Sequence, residues 1–266
     1  MKFNVNQNDL QKSLGYCQGV IEKRSTLPIL SNILLDAKGS KLKIIATDLD
    51  LIFVTELKNV EILQEGKTTT TSSIMYDIIR KFNSGNKINF NQTGENKIQL
   101  ESEKSIFNLN CISASEFPIT EANFRDNEFT LNSKKLLKLL NKCKFSVSND
   151  ETRHYLSGIF LHLTDNDNKK FLTAVATDSH RMAISKTLLE DEINFEPIIL
   201  PKKTIFQLCS LLDDYDGNVK ISNLKSKIKF EFNNIILMSK LIDGKFPNYF
   251  QVIPKDNQKK LEIDLK

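Results

Sequence analysis

The sequence predicts an α+β protein built from two tandem copies of one unit, in which two short helices pack on antiparallel sheets. The first observation is a repeated tripeptide, Ala-Thr-Asp, which stands at residues 46–48 and 176–178 with an apolar run on each side. The second is that other landmarks recur in the same order at nearly the same spacing. These are Phe3-Asn4 with Phe129-Thr130, Cys17 with Cys143, Ser31 with Ser157, and Phe117-Pro118 with Phe246-Pro247. Order and spacing together indicate a duplication of about 125–130 residues.

The domain limits follow from this repeat. We predict one unit over residues 1–120 and a second over residues 128–254, with a polar connector between them. Residues 261–265 then alternate apolar and polar side chains, as the start of each unit does. Residues 260–266 are therefore predicted to be the first strand of a third unit, and the sequence is expected to stop inside a three-unit protein.

In the first unit, alternation predicts a strand at 2–6, and Asn8 or Asp9 suits the cap of a helix over 9–24. The elements expected after it are strands near 30–37, 41–47, 50–57, 59–63 and 67–72, a helix over 74–82, and strands near 87–92, 96–101 and 105–111. The tight turns between the strands favour antiparallel pairing with the helices on one face.

The second unit repeats this order. A strand at 128–132 leads into a helix over 134–144, for which Asn132-Ser133 is the expected cap. The elements expected after it are strands near 156–164, 170–177, 180–187 and 194–199, a helix over 202–212, and strands near 218–223, 226–232 and 235–241.

The composition is that of an ordinary globular protein. Of 266 residues, 40% are hydrophobic and 26% are charged. No apolar run approaches the roughly 20 residues of a membrane-spanning helix, and the N-terminus lacks the apolar region of a signal peptide. We therefore expect a cytoplasmic protein without membrane contacts.

The residue patterns of common enzyme and metal sites are missing from the sequence. It contains no Gly-rich phosphate loop, His-Glu-x-x-His or Gly-x-Ser-x-Gly motif. The four cysteines are widely spaced, which favours buried apolar side chains over a zinc site or a disulfide. Asp48 and Asp178 are expected to accept backbone N–H groups in tight turns. We predict no catalytic residue, metal or cofactor.

Charge is unevenly distributed. The four predicted helices carry more basic than acidic residues, although the net charge of the whole chain is only +4. A positive helical side and a slightly negative remainder indicate a polyanionic partner on one side of the molecule.

With its repeated units, Leu27-Pro28-Ile29-Leu30, Ala176-Thr177-Asp178-Ser179-His180-Arg181 and Ser239-Lys240-Leu241-Ile242-Asp243-Gly244-Lys245-Phe246-Pro247, the sequence resembles the bacterial sliding clamps. These are the beta subunits of the replicative DNA polymerase III. The resemblance covers all 266 residues and implies the DNA clamp fold, in which three-domain chains close head to tail as a homodimeric ring around duplex DNA. It implies a non-catalytic processivity factor for DNA strand elongation.

The implied DNA contacts are independent of sequence, because phosphate contacts carry no base information. By resemblance, Arg24 matches a basic residue that faces DNA. Helix position and charge add six further candidates: Lys12, Arg80, Lys138, Lys142, Lys202 and Lys203.

The resemblance also implies a groove that takes short peptides from the polymerase III catalytic subunit, the clamp loader, other polymerases and repair proteins. The matching positions are Leu156, Thr177, His180, Arg181, Met182, Pro247 and Val252. The apolar members would form the floor, and Thr177, His180 and Arg181 a polar rim.

A third surface is implied at strand 105–111. It resembles the edge that pairs with the partner chain of the ring, with Phe107 and Leu109 packing across. Without a third domain, the chain is expected to be a monomer.

Two alternatives stay open from the residues alone. One is an enzyme that uses Asp178 and His180, and the other is a static nucleic-acid-binding or scaffold protein with duplicated domains. A substitution of His180 distinguishes the enzyme from the sliding clamp, because loss of turnover would support the enzyme and loss of peptide binding would support the groove. Linear DNA distinguishes the static protein from the clamp, because a full-length ring should slide off free DNA ends but not off blocked ones.

Overall fold

A computed structural model of the chain describes residues 1–22, 26–119, 128–190, 192–254, 259 and 261–264. In these ranges it contains four α-helices and 17 strands, besides short 3₁₀ turns. The first unit comprises β1 (Lys2–Asn6), α1 (Gln7–Cys17), β2 (Asn32–Lys38), β3 (Lys41–Thr47), β4 (Leu51–Lys58), β5 (Glu61–Gln64), β6 (Gly66–Thr71), α2 (Ser72–Ile79), β7 (Lys87–Gly94), β8 (Lys97–Ser102) and β9 (Ser105–Ile112). The second comprises β10 (Glu128–Asn132), α3 (Ser133–Asn141), β11 (Gly158–Asn166), β12 (Lys169–Thr177), β13 (Met182–Leu188), β14 (Ile198–Pro201), α4 (Lys202–Leu212), β15 (Asn218–Asn223), β16 (Lys227–Phe232) and β17 (Ile235–Lys240).

Eight strands of each unit have the same pairing order. The first strand of each unit lies beside its last three strands, in the orders β1-β7-β8-β9 and β10-β15-β16-β17. Four further strands also correspond, in the orders β6-β2-β3-β4 and β14-β11-β12-β13, whereas β5, which pairs with β1, has no counterpart among the described strands. Every one of these pairs is antiparallel. Short turns join most of the strands that follow one another in the chain, which requires antiparallel pairing. The predicted α+β class with duplicated, antiparallel units is confirmed.

A strand pair joins the two units. β17 of the second unit pairs with β4 of the first, with Leu237 opposite Phe53, so that 13 of the described strands form one continuous sheet. Side chains reinforce the junction: Lys240 Nζ lies 2.7 Å from Asp50 Oδ1, and Asn234 Nδ2 donates to Glu56 O at 2.8 Å. β13, the counterpart of β4, has β12 as its single neighbour in the described part of the chain.

All four helices pack on one side of the sheets. The buried stripe of α1 contains the predicted Leu10, Leu14 and Cys17, and α3 is capped by Asn132 Oδ1, which accepts from Lys134 N and Lys135 N as predicted. The opposite face of each unit is covered by a buried phenylalanine of the repeated Phe-Pro pair. Phe117 packs in the first unit and Phe246 in the second.

Two element predictions are wrong. α1 begins after Asn6, whose side chain accepts from Asn8 N, and it ends at Cys17 instead of residue 24. Gly19 follows the helix end and lies close to Gln207 of α4, since a β-carbon on Gly19 would meet Gln207 Oε1. His180 and Arg181 lie in a turn rather than on β13.

The predicted strand at 260–266 stays a prediction. Of its residues, 261–264 are described and form no strand, and Leu261 is 82% exposed. A strand forms only where a neighbouring strand satisfies its backbone groups, and no described strand lies beside these residues.

None of the helices in the described ranges is long and apolar enough to cross a membrane. All four cysteines are buried, as the spacing predicted. Burial raises the pKa of the Cys17 thiol above its usual value and that of the Cys143 thiol to about 11.

Candidate functional site

The two Ala-Thr-Asp tripeptides form the same turn. Asp48 Oδ1 accepts from the backbone N–H groups of Asp50 and Leu51, at 3.0 and 2.6 Å. Asp178 Oδ1 accepts from His180 N and Arg181 N, both at 3.0 Å. Both aspartates therefore have the turn-forming role that the sequence predicted.

The second turn holds the predicted rim residues. Thr177 Oγ1 accepts from Ser179 N at 3.1 Å and donates to Arg181 O at 2.8 Å. Ser179 has a φ of 76°, the left-handed region in which glycine is least strained. Arg153 Nη1 donates to Ser179 Oγ at 2.7 Å and braces the turn from outside. His180 is thereby presented to solvent at the tip of a rigid turn.

Arg181 is held by a charge and a ring. Its Nε donates to Asp178 Oδ2 at 3.0 Å, and its guanidinium lies 5.5 Å from the centroid of the Phe145 ring. The backbone N–H groups of Arg181 and then His180 hold the pKa of the Asp178 carboxyl below its usual value, and the Arg181 guanidinium adds to this. These two contacts hold the Arg181 side chain in one orientation.

An apolar cluster lies next to this turn. Leu156 is 3% exposed and packs with Val175, Ile199, Phe246 and Tyr249, and Met182 is partly buried against the same cluster. Thr177 pairs with Met182 across β12 and β13 and connects the turn to the cluster. Leu156 is therefore a core residue, whereas Met182 lies at the boundary between the cluster and solvent.

The last two predicted groove residues lie on the segment that covers the cluster. Pro247 is exposed and stands between the buried Phe246 and Tyr249, and Val252 is 67% exposed. All seven predicted residues thus lie in the cluster, in the turn beside it or in the segment across it.

Sequence reasoning missed a buried histidine in this region. His162 is 8% exposed, stacks on the Phe160 ring at 4.7 Å, and its Nε2 lies 3.0 Å from the Tyr249 hydroxyl. Burial lowers the pKa of His162. One signal in the sequence could have found it. His162 lies on a predicted strand with alternating apolar side chains, so its ring had to face either the core or solvent.

One pocket among the described residues lies apart from the predicted groove. It has a volume of about 610 Å³ and lies on another side of Phe246. Its lining comprises Phe160, Pro197, Ile198, Ile199, Lys225, Ser226, Leu241, Ile242, Asp243, Gly244, Lys245 and Phe246. None of the seven predicted groove residues lines it.

On the opposite side of the molecule, the helices form a continuous layer in the order α2-α1-α4-α3. Gln18 Nε2 donates to Ser72 Oγ at 2.9 Å and joins α1 to α2. Gln207 Nε2 donates to Tyr16 O at 2.8 Å and joins α4 to α1 across the two units. α3 packs directly on α4. The layer therefore spans both units without a break.

The predicted cations differ in how far their charge is neutralised. Lys138 and Lys142 are exposed on α3 and at its end, and no described carboxylate pairs with them. Lys12 is exposed on α1 and lines a pocket with Asp9 and Asp214. Arg80 pairs with Asp77 at 3.1 Å.

The two lysines at the start of α4 have different environments. Lys202 donates to Asn149 Oδ1, whereas Lys203 pairs with Asp48 and donates to Val20 O at 2.7 Å. Lys203 therefore makes an inter-unit contact in which its charge is paired with Asp48. Arg24 lies outside the described residues.

Strand β9 presents a different apolar surface from the predicted one. Leu109 is 8% exposed and belongs to the core of its own unit. Phe107 is 39% exposed and packs edge-on against Phe82, and Ile106 is 57% exposed. The available apolar side chains of this edge are therefore Ile106 and Phe107.

The described residues contain no group of three His, Cys, Asp or Glu side chains that could hold a metal ion. The side chains of Asp178 and Arg181 bond to each other within the turn.

Tandem units with all helices on one side and an apolar cluster on the other define a DNA-clamp type of protein. Two family profiles match the chain: "DNA polymerase III beta subunit, N-terminal domain" at residues 1–121 and "DNA polymerase III beta subunit, central domain" at residues 130–248. The chain belongs to the DNA polymerase III beta subunit family, the sliding clamps. Its role is that of a clamp, accessory rather than catalytic.

Individual relatives support this family assignment. The beta sliding clamp of Caulobacter vibrioides is 35% identical, over 99% of this chain and 71% of the relative. The structure of Caulobacter crescentus pol III beta superposes with a TM-score of 0.92 at 35% identity, over 97% of this chain and 70% of that one. A sliding clamp from Bartonella birtlesii bound to griselimycin has a TM-score of 0.90 at 35% identity, over 96% and 68%.

Proposed function

We propose that the chain is a subunit of a ring that encloses duplex DNA, with the helical layer towards the DNA and the cluster around Leu156 and Met182 towards partner peptides. The observation that carries this proposal is the unbroken layer α2-α1-α4-α3, on which Lys138 and Lys142 remain unneutralised by described carboxylates. Lysines on exposed helix faces bind phosphates without reading bases, which suits a protein that moves along DNA.

The charge test uses two lysines of α3 and a matched control. Lys138→Ala with Lys142→Ala should weaken binding to a duplex oligonucleotide and lower the slope of log K against log salt by about 0.9 for each lysine that contacts phosphate. Lys134→Ala is the control, because Lys134 already pairs with Asp216 at 2.5 Å. Equal losses in the control and the double variant would reject the proposed DNA side.

The second part of the proposal concerns the peptide groove. The turn presents His180 and Arg181 beside Met182, and an apolar floor with a polar rim is typical of a site for short peptides. Polymerase and clamp-loader subunits are the expected partners of this groove.

Griselimycin is a suitable probe, because a clamp from Bartonella birtlesii has been solved with it. Met182→Glu and His180→Ala should weaken its binding in calorimetry. Ile106→Ala, an exposed apolar position on β9, is the control and should leave binding unchanged. Unchanged binding in both groove variants would place griselimycin elsewhere.

The third part concerns ring closure. Among the described strands, β13 lacks the neighbour that its counterpart β4 has. The pairing of β9 with β6 covers Cys111 and Ile112 and leaves residues 105–109 as an edge, on which Ile106 and Phe107 are exposed. Unpaired edges with apolar side chains are ready to accept a further strand. We assign β13 to a third unit and β9 to a second subunit of a homodimeric ring. Light scattering of this chain should show a monomer, and a stable closed dimer would contradict the assignment.

A further inference from the structure

One aromatic side chain of α4 stands apart from the rest. Phe206 is 46% exposed, while its neighbours Ile205 and Leu208 on the same helix are fully buried. The core is therefore complete without Phe206, and its ring faces solvent on the helical layer.

Two lysines flank this ring. Lys144 Nζ lies 5.5 Å from the ring centroid, and Lys202 Nζ, one helical turn before Phe206, lies 6.0 Å from it. They approach from different elements, the turn after α3 and the start of α4. No described carboxylate forms a salt bridge with either lysine, although Lys202 donates to Asn149. The surroundings of the ring are therefore positive.

An exposed ring between two cations is suited to a flat anionic ligand. Nucleic-acid bases stack on aromatic side chains while nearby lysines contact the phosphates. In a duplex both faces of each base are covered by neighbouring base pairs, so only an unpaired base can present a face to Phe206. When DNA binds, the ammonium groups of Lys144 and Lys202 would give up their contact with the Phe206 ring and contact phosphate oxygens instead.

We propose that Phe206, with Lys144 and Lys202, forms a stacking site for an unpaired base of single-stranded DNA. The proposal rests on the proposed function, because it requires DNA at the helical layer. It goes further in assigning one position on that layer to single strands.

A fluorescence experiment reports directly on stacking. The sequence contains no tryptophan, so Phe206→Trp gives the full 266-residue chain a single indole at the site. A 12-mer of deoxythymidylate should quench its fluorescence, and a 12-mer with the same phosphates but abasic sugars should quench it much less. Phe250→Trp is the matched control, since Phe250 is 53% exposed on the segment that covers the opposite face.

Binding measurements separate this proposal from the general one. Phe206→Ala should weaken binding of the deoxythymidylate 12-mer by about 5- to 100-fold and leave duplex binding nearly unchanged. Lys138→Ala with Lys142→Ala tests the duplex contact independently. Equal quenching by the abasic strand, or Phe206→Ala without effect on the 12-mer, would overturn the stacking site and leave the duplex proposal standing. Circular dichroism checks that the variants are folded.

Discussion

The ion pair between Lys203 and Asp48 connects two residues of different units and offers a sharp test of how the units are joined. The Asp48 side chain is 5% exposed, and besides Lys203 its carboxylate accepts two backbone N–H groups. Lys203→Met keeps the aliphatic stem and removes the charge, which leaves a nearly buried carboxylate without its cation.

The size of the effect lies between two limits. Exposed pairs contribute about 0–1 kcal/mol, and breaking a fully buried pair costs about 3–5 kcal/mol. Because the Lys203 side chain is 40% exposed, solvent screens part of the interaction. We expect Lys203→Met to lower the free energy of unfolding by about 2 kcal/mol.

The assay is urea unfolding followed by circular dichroism. Lys202→Met is the matched control: the neighbouring lysine contacts an amide oxygen and no described carboxylate, so it should change stability by about 0.5 kcal/mol or less. Lys203→Met combined with Asp48→Asn should cost less than the sum of the single changes, with a coupling of about 1 kcal/mol. Equal effects of Lys203→Met and Lys202→Met, or strict additivity in the cycle, would refute the reasoning.

Three further predictions concern the core. Gly158→Ala should destabilise the protein by about 2 kcal/mol or more in urea, because its β-carbon would lie 2.3 Å from Leu200 O, whereas Gly94→Ala has nothing within 4 Å and should be nearly neutral. Burial lowers the pKa of His162 below the ordinary 6.5, so the unfolded state binds more protons; stability should therefore fall as pH drops below about 6.5, and His162→Asn should flatten that pH dependence. A thiol reagent should modify the four buried cysteines slowly until urea is added, and a rapidly reacting thiol in the native protein would contradict the burial.

Several features could be predicted because the interactions that cause them are local. Asn132 caps α3 through backbone groups two and three residues ahead, and Asp48 and Asp178 close their turns over the same distance. The apolar stripe of α1 follows from helical periodicity alone. Such short-range causes leave a readable pattern, and the pattern occurs twice because the unit is repeated.

The candidate site was predicted in part. The seven groove positions were taken from resemblance, and the structure brings them to one region without testing their role. The contact between His162 and Tyr249 was not predicted, because it joins residues 87 positions apart and leaves no local pattern. Leu109 lies on the same face of β9 as Phe107 but is buried in the core, since strand alternation does not say how far along a strand the core extends.

The sequence by itself determined the duplication, the α+β class, most strand positions and the turns that hold the rim residues, because each depends on periodicity or on hydrogen bonds within a few residues. Tertiary structure alone decided which lysines pair with a carboxylate of the other unit and which edges of the described sheets remain open. Those outcomes depend on Asp48 and β17, which meet partners in another unit, and only the folded chain brings them into contact.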